Sequence, residues 1–110
     1  MEEKEFNELA AVAMSRIEAA LEGLADADEV ELDFELAAGG VLEVEFADGS
    51  KIIVNRHAVA REIWVAARSG GFHFRWVDQG WHDTRDGVAL FARLSDLVSQ
   101  QAGQRVSLAG

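Results

Sequence analysis

The dipeptide Asp48-Gly49 separates a run in which apolar and polar residues alternate from an apolar-centred return run, and this limits the fold more than any other feature of the chain. On one side stands Val41-Leu42-Glu43-Val44-Glu45-Phe46, on the other Lys51-Ile52-Ile53-Val54-Asn55-Arg56. A period of two gathers apolar side chains on one face of a strand, and Asp-Gly suits the positive φ angles of a tight hairpin turn. Gly39-Gly40 marks a turn just before. Upstream of it, Asp26 to Glu35 repeats the pattern: from Asp28 on, Val30, Leu32, Phe34 and Leu36 alternate with Glu29, Glu31, Asp33 and Glu35. The predicted strand is apolar on one face and purely carboxylate on the other. Like charges stacked along a strand face are unfavourable without a counter-charge. Mixed Lys and Glu would serve solvation equally well, so such a face points to a cationic partner, either a metal ion or a basic protein surface.

The charge distribution points the same way. Residues 1–35 hold twelve acids and two bases, Lys4 and Arg16, whereas residues 36–110 hold eight of each. The formal charge of −10 therefore lies wholly in the first third. Acidity spread evenly would serve solubility; acidity confined to one region makes a negative face.

Residues 4–24 carry Phe6, Leu9, Ala10, Ala13, Ile17, Ala20, Leu21 and Leu24 at helical spacing, which predicts an amphipathic helix. Glu18 and Glu22 lie one turn apart on its polar side, so the helix end and the next strand are expected to share one acidic ridge. Past the hairpin, Arg61 to Arg68 predicts a fourth strand, with a short helix over the Ala-rich 62–68 as the alternative, Phe72 to Val77 a fifth and, after Gln79-Gly80, Trp81-His82-Asp83 a short sixth. Asp86 is placed as the N-cap of a second helix, marked by Val88, Leu90, Phe91, Leu94, Leu97 and Val98 and ending near Ala102-Gly103. Helix, antiparallel strands, helix is the order of an α+β, two-layer sandwich with five to six strands and both helices on one sheet face.

The 110 residues suffice for one domain, 1–110, with a single core. Without Cys there is no disulfide, thiolate nucleophile or thiolate-held metal. The acidic start Met-Glu-Glu-Lys-Glu and the lack of a long apolar run predict a cytoplasmic chain with no membrane partner. The negative charge argues against nucleic acid, whose phosphates call for Lys and Arg.

Several of these stretches together resemble bacterial frataxin. They are Gly40 through Arg56, Glu62-Ile63-Trp64-Val65-Ala66, Gly70-Gly71-Phe72-His73-Phe74 and Asp86-Gly87-Val88, in order, with an acidic first helix and first strand. The resemblance covers essentially the whole chain, though Ala19, Gly23 and Ala25 stand where many relatives keep further acids. It implies an α/β sandwich, weak Fe2+ or Fe3+ binding at surface carboxylates, and docking on the cysteine desulfurase and scaffold protein of iron–sulfur cluster assembly. An iron chaperone or regulator, monomeric unless iron drives oligomers, is the implied role.

The chemistry fits that implication. Iron at exposed sites takes hard oxygen ligands, and Glu18, Glu22, Asp26, Asp28, Glu29, Glu31 and Asp33 supply them. A strand face and a helix edge give a row and not a cage, so binding is expected to be weak and unselective. The bland alternative is a solvated acidic face. Trp64, between Ile63 and Val65, is expected on the sheet face without helices, where with Asn55 it would contact a partner beside Glu18, Glu22, Glu29, Glu31 and Asp33. Trp76 and Trp81 are assigned to the core or its edge. His57, His73 and His82 lack ligand spacing and are assigned structural roles, His73 above all. No nucleophile triad or phosphate loop is present, and no enzymatic activity is expected. Two alternatives stand beside iron-linked docking. One is an acidic interaction domain, an inhibitor or nucleic-acid mimic, with incidental metal binding. The other is an iron-oxidising enzyme, which would need Glu and His converging between helices.

Overall fold

The structure, a computed structural model, describes residues 1–27 and 30–109. Two helices, α1 (Glu3–Asp26) and α2 (Leu90–Ala102), flank six strands in sequence. These are β1 (Leu32–Ala37), β2 (Val41–Phe46), β3 (Lys51–His57), β4 (Glu62–Ala67), β5 (Gly70–Val77) and β6 (Gly80–Asp83). They form one antiparallel sheet in the order β1-β2-β3-β4-β5-β6, each strand paired with its sequence neighbours. This is the expected α+β sandwich.

The alternation of each strand decides which layer it feeds. Leu42, Val44 and Phe46 of β2, Ile52 and Val54 of β3, Ile63 and Val65 of β4 and Phe74 of β5 are buried. They meet Phe6, Ala10, Ala13, Ile17, Leu21 and Leu24 of α1 and Leu90, Leu94, Leu97 and Val98 of α2. Removing any of the larger side chains would cost about 2–5 kcal/mol. The opposite sheet face, carrying Asp33, Glu35, Glu43, Glu45, Asn55, Trp64 and His73, has no helix over it. After α2 the chain folds back: Val106 and Leu108 are buried. The Ser99 and Ser95 hydroxyls accept their backbone N–H groups at 3.0 and 2.8 Å.

Three expectations are corrected. The first strand begins at Leu32, with Val30 buried in a bend before it, and Asp28 and Glu29 lie outside the described residues. Leu36, near the end of the edge strand β1, is 53% exposed, while its register partner Leu42 on β2 is fully buried. Asp86 does not cap α2. The residue before the helix is the extended Ala89, without a side-chain cap. Asp86 instead accepts from the Val88 N–H at 3.1 Å and pairs with Arg93, fixing the loop into α2. The β5–β6 turn is a two-residue hairpin loop. Its two loop residues are Asp78 and Gln79, at φ of 49° and 66°. That left-handed pair matches the strand twist without a glycine.

Candidate functional site

Two groups of side chains occupy the open sheet face. The first is acidic. Asp33 stands opposite Glu45 and Glu35 opposite Glu43 in the β1–β2 register, and all four line a shallow depression of about 100 Å3. The Lys51 ammonium meets Glu43 at 2.7 Å, and Glu43 holds the Lys51 pKa above its ordinary value by hydrogen bond and charge. Among the described residues no base pairs with Asp33 or Glu35. Directly opposed like charges oppose strand pairing, so the core behind them must hold these strands together.

Of the predicted ridge, Glu18 is half-buried on α1, while Glu22 and Asp26 are exposed in its last turns. Glu31 is exposed just before β1 and Asp33 is exposed within it. Asp28 and Glu29 lie outside the described residues. Asp33 projects from the sheet face opposite α1, which packs against β1 at the edge of the sheet. Among the described residues no three His, Asp or Glu side chains come together as a ligand shell. The donors are hard carboxylate oxygens open to water, which suit a loosely held, partly hydrated cation.

The second group is aromatic. Asn55, Trp64 and His73 occupy matching positions on β3, β4 and β5. The Trp64 indole lies half-buried between two imidazoles, with His57 stacked at 3.9 Å between ring centroids and His73 at 4.4 Å on the other side. Its Nε1–H donates to Oε1 of Glu62 at 2.7 Å. Glu62 also accepts from Arg75 Nη2 at 2.7 Å, and His73 Nδ1 lies 3.5 Å from it. Only 8% of the Glu62 side chain is exposed. Burial pushes its pKa up, but the hydrogen bonds from Trp64 and Arg75 and the charges of Arg75 and His73 outweigh burial and hold it below the usual 4.5. The carboxylate is thus ionised and fully engaged under the ring stack.

Trp64 therefore lies on the expected face but is flanked and anchored there. The sequence reading missed Glu62 and treated His57 and His73 one by one. The signal was available in the alternation: Glu62 and Trp64 share a face two residues apart, and an antiparallel register carries His57 and His73 to it. Trp76 and Trp81 pack edge to face at 5.5 Å on the helix side, with Trp81 buried.

Comparison with known proteins completes the description. A frataxin-like domain model matches residues 1–104. The iron-sulfur cluster assembly protein CyaY of Dechloromonas aromatica (strain RCB) is 64% identical over 108 residues, 98% of this chain and 99% of that one. Among solved structures, frataxin from Psychromonas ingrahamii covers 100% of both chains at 25% identity with a TM-score of 0.87. Trimeric frataxin from the yeast Saccharomyces cerevisiae, complexed with ferrous iron, covers 94% of this chain and 88% of its own at 25% identity and a TM-score of 0.73. With a family model spanning nearly its whole length and a relative this close, the chain belongs to the frataxin family.

Proposed function

We propose that this protein acts in iron–sulfur cluster assembly as a non-catalytic adaptor. It holds iron weakly on its acidic edge and docks on the cysteine desulfurase and its scaffold protein. The 64% identity to a protein named for iron–sulfur cluster assembly carries the assembly role. The carboxylates of Asp33 and Glu35, unpaired among the described residues, support iron, as does the yeast relative's complex with ferrous iron. In this reading Glu18, Glu22, Asp26, Asp28, Glu29, Glu31 and Asp33 offer the metal ligands. Glu18, Glu22, Glu29, Glu31 and Asp33 meet a basic patch of the desulfurase, and Asn55 and Trp64 give the open sheet face an aromatic contact. The negative edge accelerates encounter with a positive surface, and the aromatic group supplies contact area once docked.

The test is an anaerobic Fe2+ titration followed by NMR. Paramagnetic broadening should begin at residues 18–33 and saturate weakly, with several ions bound per chain. Broadening spread evenly over the surface would leave the acidic face as a docking surface alone.

A further inference from the structure

We infer that Glu62 is the positioning residue of the docking face: its buried carboxylate fixes the Trp64 indole in the orientation it presents to a partner. The inference rests on the reading of Trp64 as a docking residue. Glu62 lies on the sheet face that has no helix over it, where a carboxylate would ordinarily be solvated, yet the residue is only 6% exposed. What covers it is the stack itself. The indole N–H and the Arg75 guanidinium each reach one of its oxygens at 2.7 Å, and the His73 imidazole borders it. An indole on a strand rotates about two side-chain torsions. Here the hydrogen bond sets its edge toward β4's own Glu62, while His57 and His73 close on both of its faces, so the ring is held on three sides. The outward His57 ring is itself tied down, its Nδ1 accepting the Ala60 N–H at 3.3 Å.

Several alternatives are disfavoured by this geometry. The two imidazoles are separated by the indole, so they cannot share a metal ion. Glu62 has its oxygens committed to donors, which leaves it unsuited to act as an iron ligand. What remains is preorganisation. A large side chain ordered in advance does not lose its rotational freedom on contact, and that cost is about 0.5–1.5 kcal/mol for each side chain left to be ordered.

The experiment compares Glu62→Leu, which removes the acceptor while filling the space, with Glu62→Gln, which retains an acceptor oxygen. Wild type should give three indole N–H resonances, and Trp64→Phe identifies the one belonging to Trp64. In Glu62→Leu that resonance should move upfield and exchange faster with water while those of Trp76 and Trp81 stay in place, and docking on the purified desulfurase–scaffold complex should weaken about three- to tenfold. Glu62→Gln should recover most of both. An unmoved Trp64 resonance in Glu62→Leu overturns the inference whatever docking does, and so does a displaced resonance with docking unchanged while Trp64→Ala docks poorly. If Trp64→Ala docks like wild type, the docking role of Trp64 falls, and the indole shift then reports on Glu62 as an anchor of the ring alone.

Discussion

Asp33 and Glu45 face each other across the β1–β2 ladder as a directly opposed pair of like charges. With Glu35 opposite Glu43 next along the strands, this edge of the sheet forms against its own repulsion. Screening or a bound cation should therefore stabilise the native state. Thermal melts should shift upward with added salt and further with divalent ions. Glu45→Lys should raise stability by about 0.2–1 kcal/mol and flatten the response to salt. Melts indifferent to salt in both proteins would contradict this.

Trp64→Ala removes two ring stacks and one of the donors that satisfy Glu62. The stacks contribute about 0.5–1.5 kcal/mol each and an orphaned buried acceptor costs about 1–3 kcal/mol. Because Arg75 still holds the carboxylate, the expected loss is about 1–3 kcal/mol by urea denaturation, with the fold retained. A mutant that does not fold would mean that the indole supports the core itself.

Glu62 also sets a pH dependence. Its folded pKa lies below the ordinary 4.5, so its contribution is complete above that value and fades as pH falls through the folded pKa. The stability difference between wild type and Glu62→Gln should be constant near neutrality and shrink below about pH 4.5. A difference that grows on acidification would reverse the assignment.

Gln101 joins α2 to the β2–β3 turn and the start of β3 from the helix side of the sheet. Its side chain accepts from the Arg68 N–H at 3.1 Å and donates to Ser50 Oγ at 3.0 Å and the Lys51 carbonyl at 3.2 Å. Gln101→Ala should cost about 1–3 kcal/mol with no effect on iron binding or docking, as calorimetry and a binding titration would show.

Much of this was legible in the sequence because its causes are local. Alternation in Val41–Phe46, the apolar run that follows Lys51 and the Asp48-Gly49 turn between them determine the hairpin, and helical spacing determines α1 and α2. Leu36 reads as a core residue because alternation says which face a side chain takes, not how completely that face is covered. Asp86 reads as a cap because Asx residues serve caps and loop turns alike. The Glu62–Trp64–His73 group depends on register between strands, and register becomes visible only once the hairpins are aligned.

In the proposed function the acidic edge serves both iron and a basic surface of the desulfurase. Biolayer interferometry of desulfurase binding across a salt series tests it most directly. One variant carries Lys at Glu18, Glu22, Glu29, Glu31 and Asp33. The other carries Asp96→Lys with Asp78→Asn, since Asn tolerates the positive φ at that turn. The wild type and the second variant should bind alike, weakening as salt shortens the Debye length below about 8 Å, and the ridge variant should bind far more weakly with little response to salt. A ridge variant that binds like wild type, or wild-type binding that is flat with salt, would contradict the claim and leave the Trp64 face as the docking surface.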